Sequence, residues 1–502
     1  MLESWLAAVS GILWGPYGLI PLLVGTGIFL TLGLRGLQFR ALLPALWLAL
    51  VKRREPGGVG EISHFQALMT ALAATVGTGN IAGVATALAA GGPGALFWMW
   101  VTGLIGMATK YAEALLSVRY RERDARGEMS GGPMYFLSRG LRWRGLGRGL
   151  GLAFALFAAI AAFGIGNGVQ SEEVGNALQA SFGFAPRGTQ TVMALLVAAV
   201  TIGGIRWIGR VSSLLVPIMV LFYMGAGLVI LWQNAAWIPE ALGSVLVGAF
   251  RPSAFGGGLL GASVASALRF GIARGVFSNE SGLGSAGIAA AAAATREPVR
   301  QALVSMTQTF IDTLVVCSVT GLVILTSVIR DAERVGDIEP AGLERSLVEM
   351  SERSGLDPFS EGFPTQLADV VDEGERVAPL ARWRLVRGAE WTTLAFRESL
   401  PGRYGGVIVS LGLALFAFST ILGWSYYGEK SIEYLLGARV VRPYRLLFAA
   451  MVVGGPMLFS GSIWLLSDVT NALMAVPNLI GLLLLWPVVR AETRAYFSRG
   501  SP

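Results

Sequence analysis

The chain is poor in the residues that carry much of soluble protein chemistry. Its 502 residues include one cysteine, Cys317, one histidine, His64, and three lysines, and only 14% of them are charged. A single cysteine excludes an internal disulfide, and a single histidine makes a histidine-based metal site implausible. Soluble globular chains carry roughly a quarter charged residues. The composition therefore argues against a soluble protein and against a metal centre beyond a simple cation.

Long apolar runs without charges recur along the chain. Hydrophobic residues make up 54% of it, and the mean hydropathy is +0.61. A helix of about 20 residues crosses a ~30 Å hydrocarbon core. The sequence predicts an all-α integral membrane protein with about eleven transmembrane helices, near residues 12–34, 62–90, 95–118, 150–179, 190–208, 211–232, 257–291, 299–328, 404–436, 444–466 and 469–489.

Basic residues fall on alternate connections between the predicted spans. The connections after the first, third, fifth, seventh and ninth spans and the C-terminal tail carry arginines, whereas "GGPG" and "QNAAWIPE" carry no basic residue. Lys and Arg accumulate in cytoplasmic loops. We therefore expect a multi-pass protein of the cell membrane with an extracellular N-terminus and a cytoplasmic C-terminus. This placement accounts for the net charge of +7 without nucleic-acid binding.

A hydrophilic segment at 331–400 separates the eighth and ninth predicted spans. It is rich in Asp and Glu, as in "VVDEGERV", and we expect an acidic extracellular insertion. The rest of the chain is predicted to divide into an extra N-terminal helix with a basic loop (1–60), a first five-helix repeat (61–235), the start of a second repeat (236–330), the last three spans (401–490) and a cytoplasmic tail (491–502).

Two of the predicted spans are interrupted at mid-depth. The second contains "AATVGTGNIAG" at Ala73–Gly83, and the seventh contains "RGVFSNESGLGSAG" at Arg274–Gly287. Irregular backbone at membrane depth is tolerated only where protein or a water-filled cavity surrounds it. Interruptions five spans apart predict a five-plus-five inverted repeat, preceded by one extra helix, whose two discontinuous helices form a site near the bilayer midplane. Close packing through small residues is the alternative explanation.

An interrupted helix exposes two kinds of backbone group. The half-helix that ends at about Val76 leaves carbonyl oxygens suited to Na⁺, and the one that resumes presents N–H groups suited to a carboxylate. We therefore expect a substrate carboxylate to be held by Gly77, Thr78, Gly79 and Asn80. The stretch also fits G-x-G-x-x-A, but dinucleotide binding requires a preceding strand and an acid about 20 residues on, and the flanks here are helical.

Three further stretches are distinctive: "SGGPMYFL" at Ser130–Leu137, "GIGNGVQS" at Gly164–Ser171 and "FSTILGWSYYGEK" at Phe418–Lys430. With these and the two interruptions, "GTGNIAGVATALAAGGPGALFWMW" and "GVFSNESGLGS", the chain resembles the alanine or glycine:cation symporter family over nearly its whole length. That family belongs to the amino acid-polyamine-cation superfamily, with a leucine-transporter-type fold. The resemblance implies sodium-coupled symport of alanine or glycine, without a cofactor. The segment 331–385 departs from it, being longer than the family's loops there.

The resemblance also implies a sodium site. It places the ion between the carbonyls of Ala73 and Val76 and the hydroxyls of Ser419 and Thr420. Hard cations prefer oxygen ligands. The alternative for the hydroxyls is hydrogen bonding to the carbonyls of their own helix. Thr75 is a weaker candidate for the sodium or the substrate.

A substrate pocket is implied around the two interruptions. Gln170 is expected to contact the substrate, an interhelical hydrogen bond being the alternative. Phe277 and Trp424 are expected to keep the pocket small enough for alanine, with ordinary packing as the alternative. Ser278 and Asn279 are expected to complete its polar lining.

Ionisable residues at membrane depth indicate function by default. We expect Glu280 to cap freed N–H groups of its own broken helix or to pair with Arg274, in preference to coordinating an ion. Asp312 is expected either to neutralise a cation or to pair with a neighbouring helix. His64 is expected at the cytoplasmic interface and not in a proton relay.

The predicted function is therefore a secondary active transporter and not an enzyme. Its partners would be a small neutral amino acid, Na⁺ and the bilayer. A proton-coupled symporter or a uniporter of the same fold remains the main alternative, and a channel is a further one. An intramembrane enzyme would need a catalytic set, and no Ser/His or paired-Asp motif is present in facing spans.

Overall fold

The computed structural model of the chain describes residues 2–15, 17–251, 263–335, 389–402, 404–459 and 462–499. The helices of the first half, in chain order, are α1 Leu2–Leu13, α2 Leu19–Gly33, α3 Leu37–Arg40, α4 Leu42–Leu50, α5 His64–Thr75, α6 Val84–Gly91, α7 Gly94–Arg119, α8 Pro133–Gly140, α9 Arg144–Phe163, α10 Val169–Phe182, α11 Pro186–Thr201, α12 Gly204–Gln233 and α13 Ile238–Phe250. Those of the second half are α14 Val264–Asn279, α15 Ser285–Ala291, α16 Pro298–Thr309, α17 Ser318–Val335, α18 Ala389–Ser399, α19 Tyr404–Leu436, α20 Val441–Leu458, α21 Ile463–Leu484 and α22 Trp486–Ser498.

Shorter elements connect these helices. Among the described residues, three segments are wound as π-helix, and each continues directly into an α-helix: Gly79–Gly83, Gly164–Gly168 and Phe310–Cys317. Single 3₁₀ turns occupy Ala235–Trp237 and Ala438–Val440. The strands β1 Glu122–Arg123 and β2 Met129–Ser130 pair antiparallel, with Glu122 opposite Ser130 and Arg123 opposite Met129.

Five described helical stretches are long and apolar enough to cross a membrane: Arg144–Phe182, Gly204–Gln233, Pro298–Glu333, Tyr404–Leu436 and Ile463–Leu484. The helices His64–Thr75 and Gly79–Gly91 pass the same test together, with a 56° bend between them. The chain is therefore an all-helical membrane protein with several apolar spans and a broken helix, as the sequence predicts in outline.

The helix α5, which precedes the first interruption, has a capped N-terminus. The hydroxyl of Ser63 accepts a hydrogen bond from the N–H of Gln66, whose side chain accepts one from the N–H of Ser63. Such a capping box satisfies two of the unpaired N–H groups of a first turn. The helix ends where Val76 turns to an extended conformation (ψ 91°), and helical winding resumes at Gly79.

The second interruption separates α14 from α15. Glu280 adopts a left-handed conformation (φ 56°), as do Gly282 (φ 96°) and Gly284 (φ 83°). Glycine adopts such values at little cost, but a residue with a Cβ does not. The order of glycines in "NESGLGS" thus allows the chain to leave the helix and re-enter it within five residues.

Several predicted boundaries need correction. The first predicted span, 12–34, begins too early, because α1 ends at Leu13 and the separate helix α2 begins only at Leu19. The predicted connection after Ile208 is also misplaced: α11 ends at Thr201 and α12 begins at Gly204, whose positive φ of 62° forms the turn. The predicted connection 233–256 contains the helix α13.

The predicted insertion lies mostly outside the described residues, which omit 336–388. The helix α18, at the C-terminal end of this segment, packs against the rest of the protein. In α18, Trp391 is 3% exposed, the Thr392 hydroxyl donates to the Ile81 carbonyl at 3.1 Å, and the Phe396 ring stacks on Tyr223 with centroids 5.4 Å apart. Residues 389–399 therefore cover the first broken helix.

An ion-pair cluster lies at the end of α19 that follows Tyr427. Lys430 is fully buried, and its ammonium lies 2.5 Å from Asp124 and 3.1 Å from Glu433. Arg126 contacts Glu429 at 3.0 Å. These bonds tie the loop that carries β1 and β2 to α19.

Candidate functional site

The backbone N–H groups of the first interruption are engaged by amide side chains. The Asn80 Oδ1 accepts from the Gly77 N–H at 2.9 Å, and the Gln170 Oε1 accepts from the Thr78 N–H at 3.3 Å. The Gln170 amide also donates to the Thr78 hydroxyl and to the Ile165 carbonyl, both at 3.0 Å. Gln170 thus links the first interruption to the π-helical segment Gly164–Gly168.

One carboxylate joins the two broken helices. Asp312 accepts hydrogen bonds, each 2.8 Å long, from the Asn80 amide, the Ser278 hydroxyl and the Thr313 hydroxyl. Asp312 is fully buried in the π-helical segment Phe310–Cys317. Of the two roles expected for Asp312, the structure shows the contact with neighbouring helices.

The two interruptions lie in direct contact. A Cβ placed on Gly79 would stand 3.2 Å from the Ser278 Cα and 3.3 Å from the Phe277 ring. A Cβ on Gly77 would collide with the Thr420 hydroxyl and lie 3.1 Å from the Gln170 Oε1. Other elements therefore approach both glycines closely, and at Gly77 an added Cβ would force the Thr420 hydroxyl to move.

Four oxygens converge between α5 and α19. The Ser419 hydroxyl lies 3.2 Å from the Ala73 carbonyl, and the Thr420 hydroxyl lies 3.5 Å from the Val76 carbonyl. Both hydroxyls also donate to the Phe416 carbonyl, at 2.8 and 3.0 Å. The two hydroxyls thus lie beside the expected carbonyls of α5 and also bond to a carbonyl of their own helix, which was the alternative. The Phe416 carbonyl is a fifth oxygen, which sequence reasoning missed.

Other expected polar residues face α16 and the π-helical segment after it. The Thr75 hydroxyl donates to the Ala71 carbonyl and accepts from the Gln308 amide at 2.9 Å. The Asn279 side-chain amide donates to the Thr313 hydroxyl at 3.0 Å, and the Asn279 backbone carbonyl accepts from the Gln308 amide at 3.1 Å. These side chains brace the two interruptions against the eighth predicted span.

Glu280 does not take either role expected of it. Its carboxylate accepts from the Ser285 hydroxyl at 2.5 Å and from the Trp424 indole at 2.8 Å. Arg274 lies instead 3.7 Å from Asp468. The Glu280 carboxylate is therefore held by Ser285 and Trp424, and the Arg274 guanidinium has another acidic partner.

Two of the freed N–H groups of the second interruption are capped from α7, and a third, that of Ser281, is capped by the Asn279 Oδ1 at 2.9 Å. The Glu113 Oε1 accepts from the N–H of Gly282 at 2.9 Å, from that of Gly284 at 3.0 Å and from the Asn478 amide at 2.7 Å. Lys110 lies 3.7 Å from the Glu113 Oε2 and donates to the Glu280 carbonyl at 2.9 Å. Sequence reasoning missed these residues, although Lys110 and Glu113 stand one helical turn apart within an apolar span, which is the signal that could have identified them.

The two expected aromatic residues pack against different neighbours. Trp424 is fully buried, and it packs so closely against Gly166 that a Cβ there would overlap it. Phe277 stacks on Trp464 with ring centroids 5.3 Å apart, and the Arg274 guanidinium lies 5.4 Å from the Phe277 ring.

His64 is buried inside the protein. Its Nδ1 lies 2.6 Å from the Gln301 Oε1 and its Nε2 lies 3.4 Å from Glu55. The loop 51–63 covers the start of α5, which is why the single histidine is 2% exposed. It holds this loop to α16.

The profile of the sodium:alanine symporter family matches residues 1–351 and 377–501. The chain belongs to this family. The sodium/alanine symporter AgcS of Methanococcus maripaludis is 50% identical over 493 residues, which cover 98% of this chain and 97% of that protein. An uncharacterized transporter of Haemophilus influenzae is 44% identical, covering 99% and 97%. A probable sodium/glutamine symporter of Bacillus subtilis, GlnT, is 31% identical, covering 99% and 91%.

Membership of this transporter family confirms the predicted resemblance and the prediction that the chain is not an enzyme. Among solved structures, the chain is similar to MhsT in complex with L-phenylalanine, with a TM-score of 0.50 and 12% identity over 85% of this chain and 89% of that one. At this identity the likeness concerns the fold, which is of the leucine-transporter type. The family profile leaves out 352–376, which lies within the segment expected to be an insertion.

Proposed function

We propose that this chain is a sodium-coupled symporter of a small neutral amino acid, alanine or glycine, that works by alternating access. The observation that carries the proposal is the convergence of five oxygens, from Ala73, Val76, Phe416, Ser419 and Thr420, beside the first interruption. The name of the relative AgcS supports sodium and alanine as the transported pair.

The sodium ion would lie between the carbonyls of α5 and the hydroxyls of α19. Oxygen-only ligands suit a hard cation. The carbonyls of Ala73 and Val76 lie at the C-terminal end of a half-helix, where the dipole favours positive charge. Binding would hold α5 against α19.

The substrate carboxylate would take the place of the Gln170 amide oxygen at the Thr78 N–H. The N–H groups of Gly77 and Gly79 would lie beside it. Asn80, Ser278 and Asn279 would act as positioning residues, since their side chains bond to Gly77, Asp312 and Thr313. Phe277 and Trp424 would restrict the pocket to a small side chain.

Sodium and substrate binding would be coupled because both ligands would bind at the first interruption. Sodium at Val76 and carboxylate at Thr78 would lie two residues apart, so each ligand would order the segment that the other requires. The sodium must bind one conformation more tightly than the other, because a ligand with equal affinity shifts nothing. A 100 mV potential and a tenfold sodium gradient together supply about 3.7 kcal/mol per ion, enough for an accumulation of several hundredfold.

The proposed membrane arrangement has eleven spans in a five-plus-five repeat, with the N-terminal helices outside it. The basic connections would face the cytoplasm, and α18 with the acidic segment would face outward. Because Cys317 is buried, a cysteine introduced at Arg439 can be labelled selectively. Labelling of that cysteine by an impermeant reagent from outside intact cells would exclude this orientation.

The test of function is uptake of labelled alanine by the full-length protein in proteoliposomes. An inward sodium gradient should drive accumulation, and a negative interior potential should increase it. Accumulation driven by a pH gradient and indifferent to sodium would reject sodium coupling and favour a proton-coupled symporter of the same fold. Uptake of glutamine but not of alanine would reject the proposed substrate.

Replacing the Thr420 hydroxyl tests the ion site. Thr420→Ala removes one of the five oxygens, so the sodium concentration for half-maximal alanine uptake should rise at least tenfold, about 1.4 kcal/mol of binding. The matched control is Ser431→Ala on the same helix, whose buried hydroxyl donates to the Tyr427 carbonyl. That variant should keep the wild-type sodium dependence, and a Thr420→Ala protein that also kept it would exclude Thr420 from the ion site.

A further inference from the structure

A pocket of about 550 Å³ lies away from the broken helices, between the α2–α4 segment and α22. We name it the basic pocket. Four arginines and apolar side chains line it, among them Arg35, Arg40, Leu37, Arg490, Arg494 and Phe497. Its volume is in the range of small-molecule sites.

The two walls of the basic pocket are fixed by backbone geometry and packing. Arg35 (φ 57°) and Gly36 (φ 63°) form consecutive left-handed residues that turn the chain from α2 into α3. The Arg40 guanidinium donates to the Leu34 carbonyl at 3.1 Å. On the other wall, Trp486 packs edge-on against Phe29, with ring centroids 5.4 Å apart, and so holds the start of α22 to α2.

The arginines of α22 share one face of that helix. Arg490, Thr493, Arg494 and Phe497 recur at the i, i+3, i+4, i+7 spacing of a helical face, and all four line the pocket. Thr493 is buried and contacts the Tyr111 hydroxyl at 2.8 Å, which sets the rotation of α22.

The charge of the four guanidinium groups is uncompensated within the residues that the structure describes. Within the described part of the chain, none of Arg35, Arg40, Arg490 and Arg494 forms a salt bridge, whereas the nearby Arg119 and Arg499 pair with Glu492 and Glu297. Guanidinium groups bind phosphate oxygens in pairs of parallel hydrogen bonds. The pocket therefore suits a ligand with one or two phosphate groups.

Apolar side chains continue from the pocket along α3 and α4. Phe39, Leu43 and Trp47 are 60%, 78% and 46% exposed. The chain spans a membrane, so such a face adjoins lipid, and a helix with a basic face and an aromatic residue is typical of the membrane interface. A ligand that combined a phosphate with acyl chains would satisfy both the arginines and this face.

We propose that the basic pocket binds the headgroup of an anionic phospholipid, with its acyl chains along α3 and α4. Basic pockets between membrane helices on the cytoplasmic side bind phosphate-bearing headgroups. The bound lipid would join the N-terminal helices to α22, two parts of the chain that share few other charged contacts among the described residues. This role is separate from the sodium and substrate sites.

The experiment titrates delipidated full-length protein in detergent with phosphatidylglycerol, with phosphatidylcholine and with inorganic phosphate. Retention of lipid by native mass spectrometry and the unfolding midpoint are both measured. We expect phosphatidylglycerol to bind at least tenfold more tightly than phosphatidylcholine and to raise the midpoint. Millimolar inorganic phosphate should not displace it. Displacement by phosphate alone would make the pocket a site for soluble anions and overturn the proposal.

The decisive variant is R490Q/R494Q, which should lose at least tenfold in affinity for phosphatidylglycerol. Its matched control is R439Q/R442Q, which removes two exposed arginines elsewhere and should bind like the wild type. If R490Q/R494Q does not fold, R35Q/R40Q tests the opposite wall with the same expectation. Equal phosphatidylglycerol affinity in the pocket variant and the control would overturn the proposal. Because lipid binding is measured directly, this result does not depend on whether alanine is the substrate.

Discussion

Replacing Gly77 by alanine should reduce sodium-driven alanine uptake at least a hundredfold. The added Cβ would collide with the Thr420 hydroxyl and lie 3.1 Å from the Gln170 Oε1. Contacts this short require the neighbours to move, so the substitution should disturb the ion site and the amide that holds the Thr78 N–H at once. Initial uptake rates in proteoliposomes, at matched protein density, measure the effect.

The control for this substitution lies six residues away. A Cβ on Gly83 would meet no heavy atom within 4 Å, although Gly83 belongs to the same interrupted helix. Gly83→Ala should transport within about twofold of the wild type, because alanine is also the better helix former. Wild-type uptake by Gly77→Ala would mean that the space beside Thr420 is not needed, and the proposed arrangement of the two ligands would fail.

Removing the buried cation of α7 should have the second large effect. Lys110 is fully buried, as is Glu113, whose Oε2 forms no hydrogen bond with the described residues and lies 3.7 Å from the ammonium. Deleting one member of a buried pair leaves an uncompensated charge and costs about 3–5 kcal/mol. Lys110→Met should therefore lower the unfolding midpoint by many degrees and abolish uptake.

A double variant separates charge from packing. In Lys110→Met/Glu113→Gln both charges are absent, while the Gln oxygen can still accept from the Gly282 and Gly284 N–H groups. Neutral replacement of a whole buried pair is often close to neutral in stability, so the double variant should unfold at a higher temperature than Lys110→Met. Glu492→Gln, in the exposed pair with Arg119, should shift stability by less than about 1 kcal/mol. An equal loss in the single and double variants would show that Lys110 does not compensate Glu113.

The interruptions themselves were visible in the sequence because their cause is local. Glycine and asparagine in an apolar run weaken a helix wherever it lies, so "GTGN" and "NESGLG" identify both breaks. The resemblance to a family then predicted that Ser419 and Thr420 lie beside the carbonyls of Ala73 and Val76. In the structure the Ser419 hydroxyl is 3.2 Å from the Ala73 carbonyl and the Thr420 hydroxyl is 3.5 Å from the Val76 carbonyl.

The hydrogen-bond partners of the polar residues were less predictable. Asn80 was expected to help hold the substrate carboxylate, and sequence reasoning did not predict the bonds of its amide group to Gly77 and Asp312. Glu280 was expected to cap its own helix, yet Glu113 performs that role from α7. An amide or carboxylate offers several equivalent bonds, and which of them forms depends on distances between helices that lie far apart in sequence.

The amino-acid sequence alone determined the membrane class, the two breaks and the family. Hydropathy, the positions of glycines and the order of motifs are local properties of the chain that do not depend on how the helices pack. Only the tertiary structure decided that one carboxylate, Asp312, joins both broken helices, that Glu113 caps the second, and that four arginines from opposite ends of the chain line one pocket. Those pairings span up to several hundred residues, and they arise from how the helices pack, which no local pattern encodes.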